Sequence, residues 1–153
     1  MLELARSACV HDSSDFINED TYNVMMPPVA ALLQAVHGCF TDDEFVSYTE
    51  GSVVPCLAAL AVAVGKDIMW KPLNHKLLSL TRDKRRFVRS AALRALHKLF
   101  QEVGEEYLLL LPECLPYFSE LLEDDVAEVA ALAGEVIRYV EDLSGEKLDS
   151  YLQ

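Results

Sequence analysis

The strongest constraint on the fold is an internal repeat, because the second half of the chain matches itself when it is shifted by 41 residues. Asp83 then falls on Asp124, and the apolar positions on both sides of each aspartate also coincide. The matched apolar pairs are Leu73/Cys114, Leu77/Phe118, Leu80/Leu121, Val88/Val129, Ala92/Ala133, Leu96/Ile137 and Leu99/Val140. Steps of three and four between these positions are the spacing of one helix face. The repeat therefore predicts two successive helix–turn–helix units.

A period near 40 residues, built from paired helices, is typical of HEAT-type α-solenoids, in which each pair buries its apolar face against a neighbour. No stretch keeps an apolar–polar alternation, and no Asn-Gly or Asp-Gly hairpin turn occurs, so strands are not expected. We predict an all-α fold: a HEAT-type α-solenoid of antiparallel helix pairs, with about seven helices.

Apolar spacing and helix breakers also predict where the individual helices begin and end. We expect a bend or break at Pro27-Pro28, a capping box from Thr41 to Glu44, a separation at Gly51 and a stop at Gly145. The predicted segments are Leu2–His11, Glu19–His37, a short helix after Thr41, Ser52–Val64, Asp67–Thr81, Lys84–Val103, Tyr107–Leu122 and Asp125–Leu143. The chain is thus divided into a helical part (1–65), two HEAT-like repeats (66–103 and 106–144) and a tail (145–153), all within one domain (1–153).

The composition suits a packed intracellular protein, since 52% of the 153 residues are hydrophobic. Its longest apolar run, Val53–Val64, is too short for a membrane span of about 20 residues and is interpreted as a core helix. The start of the chain shows no secretory signal, and four scattered cysteines suit reduced thiols. We expect no membrane and no small-molecule substrate.

The net charge of −12 conceals a basic block between two acidic segments. Residues 1–64 carry a net charge of −8, residues 65–103 carry +7 and residues 104–153 carry −11. The candidate docking surface consists of Arg82, Lys84, Arg85, Arg86, Arg94 and Lys98. One interpretation is that these side chains bind an acidic protein surface or RNA phosphates. The other is that they neutralise the acidic helices stacked beside them. Without interleaved exposed aromatic residues, sequence-specific recognition of single strands is not expected.

Four residues are interpreted as structural parts of the repeat: Asp83, Arg89, Trp70 and Asp124. The spacing from Asp83 to Arg89, with a valine before the arginine, matches the turn inside a HEAT repeat. In the second copy Ala130 replaces the arginine, so we expect that repeat to lack the polar link to a neighbour. Trp70 is predicted to pack in the core.

The chain offers no recognisable catalytic, cofactor or metal site. Cys9, His11, His37 and Cys39 form an apparent quartet, but ligands one residue apart do not fit the usual spacing of structural zinc sites. Acidic clusters precede predicted helices, where carboxylates cap free amides. No nucleophile elbow or phosphate-binding glycine loop occurs. We therefore predict a non-enzyme with no cofactor.

Four stretches together resemble one family: "DIMWKPLNHKLLSLTRD", "VRSAAL", "YLLLLPECLPYFSELLEDD" and "GEKLDSYLQ". They look like the C-terminal domain of the large HEAT-repeat U3 small nucleolar RNA-associated protein number ten family. The resemblance is clear over about the last 85 residues, and the family's pattern departs from this sequence at Lys147 and Leu152.

The resemblance implies a non-catalytic scaffold of the small-subunit processome, located in the nucleus and there in the nucleolus. Its implied partners are other processome proteins and the pre-ribosomal ribonucleoprotein, and direct RNA contact is left open. Two alternatives remain: a generic HEAT adaptor of transport or phosphatase type, and a HEAT-like enzyme. The first fits the repeat but not the four stretches, and the second needs a pocket with convergent polar groups.

Overall fold

The computed structural model describes residues 2–10, 17–35 and 41–152. These residues form helices and connecting turns without any β-strand, which confirms the all-α prediction. The helices are α1 (Leu2–Val10), α2 (Glu19–Ala31), α3 (Asp42–Val64), α4 (Asp67–Leu80), α5 (Arg86–Val103), α6 (Leu111–Leu122) and α7 (Ala127–Ser144), with a 3₁₀ helix, Gly104–Leu110, leading into α6.

The helices pack in two layers of antiparallel pairs. Helices α3, α5 and α7 lie side by side in one layer, and α2, α4 and the 3₁₀–α6 segment form the other. The pairs α2/α3, α4/α5 and α6/α7 pack across the two layers, while α1 packs against α3. Because the turns at 81–85 and 123–126 are short, the helices that they join must run antiparallel. Helices α2 and α3 thus form a further pair beside the two predicted repeats.

The matched positions of the 41-residue repeat all lie in the core. Every residue of the seven apolar pairs is buried, including the central pair Leu96/Ile137. Trp70 is also buried and donates its indole N–H to the carbonyl of Ala61 at 2.9 Å. It therefore ties α4 to the end of α3.

Helix α3 is continuous through Gly51, where a separation was predicted. A π-helical turn at Thr49–Val53 joins its two α-helical parts. The Thr49 hydroxyl donates to the carbonyls of Phe45 and Val46, and Pro55 has no N–H for the carbonyl of Gly51, so the turn widens without ending the helix. The predicted capping box is present, with the Thr41 hydroxyl accepting from the amide of Glu44 at 3.3 Å.

By length and composition, α3 could cross a membrane. Its second half nevertheless faces the protein core, with Val53, Cys56, Leu57 and Leu60 fully buried. These side chains pack against α1, α2 and α5. The apolar character of α3 is thus explained by burial inside the stack.

Helix α2 passes through Pro27 and Pro28 without a break and ends at Ala31, before the predicted end at His37. Both prolines are exposed. The carbonyls that lose an intrahelical donor belong to Asn23 and Val24, which are also exposed, so water can satisfy them. The predicted end at His37 lies outside the described residues.

The start of the last pair also differs from the prediction, because a 3₁₀ helix precedes α6. Gly104 ends α5 with a φ of 76°, and the chain then turns in the tighter 3₁₀ form as far as Leu110. Helix α6 begins at Leu111, one residue before Pro112. Proline is favoured in the first turn of a helix because its missing N–H has no partner there.

The tail folds back on the last pair and covers its end. Gly145 stops α7 in the left-handed conformation, as predicted, with a φ of 72°. Leu148 is buried, and its amide donates to the Glu141 carboxylate at 2.8 Å. The Ser119 hydroxyl donates to the carbonyl of Leu152 at 3.1 Å. The tail therefore holds the ends of α6 and α7 together.

Alanine at two glycines should shift stability in opposite directions. Gly145→Ala forces an L-residue into the left-handed region and should destabilise by about 1–2 kcal/mol. Gly51→Ala lies in a helical turn with open space around the new methyl group, so it should stabilise by roughly 0.5–1 kcal/mol. Urea unfolding of both variants measures the two effects, and shifts of the same sign would contradict this account.

Candidate docking surface

Asp83 and Asp124 occupy equivalent turns and begin the second helix of each pair in the same way. The Asp83 carboxylate accepts from the amide of Arg85 at 2.9 Å, and the Asp124 carboxylate accepts from the amide of Val126 at 2.9 Å. Each bond spans two residues, as in an Asx turn. These turns delay the helices, so α5 and α7 begin at Arg86 and Ala127, two residues later than predicted.

Arg89 links the α4/α5 pair to the α6/α7 pair. Its guanidinium donates to the Asp124 carboxylate at 2.8 Å and to the Asp125 carboxylate at 2.9 Å. It also donates to the backbone carbonyl of Asp83 at 3.1 Å. The side chains of Arg89 and Asp124 are only 11% and 8% exposed. Arg89 therefore joins two successive turns of the stack through a largely buried ion pair.

The charge of Arg89 changes the acidity of its partner. Burial alone would raise the pKa of Asp124, but the hydrogen bonds from Arg89 and from the amide of Val126 outweigh it and hold the pKa below its usual value. Asp124 is therefore ionised in the folded protein at neutral pH. The equivalent position in the last repeat is Ala130, which cannot make such a link.

Arg85, a predicted docking residue, is bound within the fold. Its guanidinium forms a two-point contact with the Asp83 carboxylate, at 2.9 and 2.8 Å. It also donates to the carbonyl of Gln34, just beyond α2, at 3.2 Å. The hydrogen bond from Arg85 lowers the pKa of Asp83. Arg85 thus connects the α4/α5 turn to the preceding pair.

Most of the other predicted docking residues also pair inside the protein. Arg82 contacts Glu120 of α6 through two guanidinium nitrogens and lies 4.2 Å from the centre of the Tyr117 ring. The remaining pairs are Arg86 with Asp42 and Glu128 at 3.2 and 3.5 Å, Arg94 with Glu50 at 2.6 Å, and Lys98 with Glu102 at 2.6 Å. Apart from the last, each pair joins different helices. This arrangement favours charge balance within the stack over an open basic surface.

Lys84 is the one member of the predicted set without an ion pair to any described residue. Two further lysines, Lys71 and Lys76 on α4, share that property within the described part of the chain and were not included in the predicted surface. Sequence alone could not separate paired from unpaired bases, because the acidic partners lie 35 or more residues away for Arg82, Arg86, Arg89 and Arg94.

A buried polar cluster between α4 and the last pair was not predicted. Asn74 is fully buried, and its side-chain oxygen accepts from the Tyr107 hydroxyl at 3.2 Å and from the Cys114 thiol at 3.5 Å. Burial raises the pKa of Cys114 to about 12, so the thiol stays protonated at neutral pH. The cluster is a satisfied core contact and offers no nucleophile.

No group of three or more potential metal ligands occurs among the residues that the structure describes. His11, His37 and Cys39, and the side chain of Cys9, lie outside that part, so the apparent zinc quartet has no structural description. The surface cavity beside the start of α2 is lined by residues that include Lys66 and Glu19, and these two pair with each other at 2.6 Å.

Removing the Arg89 link should destabilise the protein and change its response to acid. Arg89→Met leaves a buried carboxylate with one partner fewer and should cost roughly 1–3 kcal/mol at pH 7. Because the folded pKa of Asp124 is lowered, its contribution is present above its unfolded pKa, near 4, and is lost as pH falls through the folded pKa.

Urea unfolding between about pH 7 and pH 2 measures both effects. The wild-type advantage over Arg89→Met should shrink as Asp124 becomes protonated. Lys98→Met is the control on the same helix, since the Lys98–Glu102 pair is exposed and joins neighbouring turns of one helix, and it should cost about 0.3–0.5 kcal/mol. Equal losses for the two variants would contradict the structural role of Arg89.

Removing the side chain of Arg85 should cost more stability than removing that of Lys84, although the two are neighbours of equal charge. Arg85→Ala removes contacts to Asp83 and Gln34 and should lower the free energy of unfolding by about 1 kcal/mol or more. Lys84→Ala removes an exposed side chain without a described ion pair and should change it by less than about 0.5 kcal/mol. Thermal melts of the two variants measure these losses of stability. A larger loss of stability for Lys84→Ala than for Arg85→Ala would contradict the prediction.

No protein-family model matches the chain. Its sequence is nevertheless similar to segments of several known proteins. An uncharacterized protein of Arabidopsis thaliana is 32% identical over 158 residues, which cover 99% of this chain and 7% of that protein. HEAT repeat-containing protein 1 of Homo sapiens is 35% identical over 140 residues, 92% of this chain and 6% of its own length. U3 small nucleolar RNA-associated protein 10 of Aspergillus terreus is 32% identical over 163 residues, 99% of this chain and 9% of its own length.

These matches run along nearly the whole chain, whereas the chain spans less than a tenth of each relative. The name of the human relative, HEAT repeat-containing protein 1, agrees with the repeat of helix pairs in this chain. The chain belongs to the HEAT-repeat family that includes HEAT repeat-containing protein 1 and U3 small nucleolar RNA-associated protein 10.

Proposed function

We propose that this chain is a non-catalytic scaffold segment for protein–protein assembly in small-subunit ribosomal RNA processing and ribosome biogenesis. The observation that carries the proposal is the match of nearly the whole chain to U3 small nucleolar RNA-associated protein 10 at 32% identity. Its partners would be other proteins of the small-subunit processome and the pre-ribosomal ribonucleoprotein. Its location would be the nucleolus within the nucleus.

The packing of the chain supports a scaffold. We propose that residues 66–103 and 106–144 are two stacked HEAT-like repeats, with 1–65 as the preceding helical part and 145–153 as a tail. Such stacks leave long surfaces for partners, because each repeat contacts only its neighbours. The paired state of most of the basic block argues for protein contacts rather than for binding of RNA phosphates, which requires available positive charge.

The predicted docking surface remains a proposal in a narrower form. Of its residues Arg82, Lys84, Arg85, Arg86, Arg94 and Lys98, only Lys84 has no ion pair with a described residue. We propose that Lys84, together with Lys71 and Lys76 of α4, forms the basic contact area. The three lysines belong to one helix and the turn that follows it.

Two alternative functions are less well supported. A HEAT adaptor of transport or phosphatase type shares the helical pattern, but the relatives are named for U3 small nucleolar RNA and for HEAT repeats. A HEAT-like enzyme needs convergent reactive side chains. In the described residues, the buried thiol of Cys114 is held protonated, and in the cavity beside the start of α2 Lys66 is paired with Glu19.

The proposal is tested by unfolding this segment within the full-length protein in cells. Leu77→Asp with Leu96→Asp places two charges at fully buried positions, which disrupts the stack. The matched control, Ser79→Asp with Gln101→Asp, places the same charges at exposed positions of the same helices. After depletion of the endogenous protein, the first variant should recover less U3 RNA and accumulate unprocessed small-subunit RNA precursor. Normal U3 recovery and processing with the core variant would overturn the proposal.

A further inference from the structure

One face of α6 and of the 3₁₀ helix before it carries an exposed row of residues, two of which, Glu113 and Glu120, also contact α4 and the turn after it. We call it the α6 stripe: Leu109, Pro112, Glu113, Pro116, Glu120 and Glu123, all of which are exposed. Apart from the adjacent Pro112 and Glu113, they follow one another at steps of three or four, which places them on one side of this helical segment. Glu105 and Glu106, also exposed, precede the stripe in the 3₁₀ helix. The stripe therefore forms a continuous surface along the last pair.

The opposite side of the same segment already supplies its contacts to the core. Leu110, Cys114 and Phe118 are fully buried, and Leu121 is 3% exposed. By contrast, Leu109 is 47% exposed, and Leu122 beside the stripe is 39% exposed. Two exposed leucines and two prolines thus remain on a segment whose inner face is complete, which provides apolar area for a contact from outside.

The charge of this edge is almost entirely negative. Glu120 is paired with Arg82, and Glu113 accepts a hydrogen bond from Asn74 at 3.4 Å. Glu105, Glu106 and Glu123 have no ion pair with a described residue. Carboxylates of like charge on one face repel each other, and a cationic partner relieves that repulsion. The stripe consequently favours a basic partner and disfavours nucleic acid.

Two other exposed apolar residues, on α4 and α2, have fewer carboxylates around them. Ile68 is 66% exposed, but its neighbours on α4, Asp67 and Lys71, carry opposite charges. Val24 is 74% exposed on α2, where Asp20 is the nearest acidic residue on the same face. The α6 stripe therefore has more carboxylates beside its exposed apolar residues than Ile68 or Val24 has.

We infer that the α6 stripe binds a basic amphipathic segment of another protein. Lysine or arginine side chains of that segment pair with Glu105, Glu106 and Glu123, and its apolar side chains cover Leu109 and the two prolines. Amphipathic segments recognised in this way present anchors at helical spacing. The inference goes beyond the proposed function by naming a surface and the chemistry of its partner. It rests on that function only for the expectation that the partner is a protein.

The test uses the purified chain and a fluorescent peptide of about 16 residues with the repeat Leu-Lys-Lys-Leu, a basic amphipathic helix. Glu105→Gln, Glu106→Gln and Glu123→Gln together should weaken binding by about tenfold or more, as each exposed pair contributes up to roughly 1 kcal/mol. The matched control, Asp20→Asn, Asp43→Asn and Asp67→Asn, removes the same charge from exposed first-turn positions. It should weaken binding by less than about twofold.

Leu109→Ser tests the apolar part and should weaken binding at both low and high salt, since burial of apolar area is not screened. Circular dichroism checks that all variants remain folded. Equal losses for the two charge variants, no binding by the wild type, or unchanged affinity for Leu109→Ser would overturn the inference. A dimer of the chain in sedimentation experiments that the Gln variant abolishes would identify a second copy as the occupant and also overturn it. The peptide-binding test and the U3 recovery test in cells are independent of each other. A failure of this inference can therefore be distinguished from a failure of the proposed function.

Discussion

Helix α5 is covered by neighbours within its layer and across from it: α3 and α7 lie on either side, and α4 packs against it. Val88, Leu93, Leu96, Leu99 and Phe100 are fully buried there. Burying a side chain of this size contributes about 1.5–3 kcal/mol, whereas an exposed ion pair contributes about 0–1 kcal/mol. Apolar burial around α5 therefore holds the stack together, and the many arginine pairs act mainly on how successive helix pairs are positioned.

The polar links connect the α4/α5 pair to the pairs before and after it in the stack. Arg85 reaches back to the carbonyl of Gln34, and Arg89 reaches forward to Asp124. Arg85 lies in the turn that contains Asp83, and Arg89 lies in the first turn of α5 and donates to the carbonyl of Asp83. This short region therefore fixes the α4/α5 pair against the pairs before and after it. Ala130 stands where a third link would begin. The last pair is completed instead by the tail, which Glu141 and Ser119 hold in place.

The helical class, the repeated core positions and the Thr41 cap could be predicted because they depend on local spacing and on residues close in sequence. The π-helical turn at Gly51 could not, since it arises from the hydroxyl of Thr49 and the missing donor of Pro55 acting together. Local sequence patterns also could not show which acidic residues the basic side chains pair with. Arg94 of α5, for example, pairs with Glu50 of α3, which is far from it in sequence, and a charge count cannot show which partner a side chain reaches.

The separation of charge along the sequence acquires a different meaning in the folded chain. The positive segment lies between two negative ones in sequence and also in space, because α5 lies between α3 and α7. Its arginines form ion pairs with carboxylates of both neighbouring helices, as Arg86 does with Asp42 and Glu128. An acidic excess remains at α6 and its 3₁₀ helix, where Glu105 and Glu106 have no ion pair with a described residue and no basic residue occurs. A stack that neutralises its own centre thus leaves unpaired carboxylates along α6 and its 3₁₀ helix, and these carboxylates are the ones that the inferred basic partner would contact.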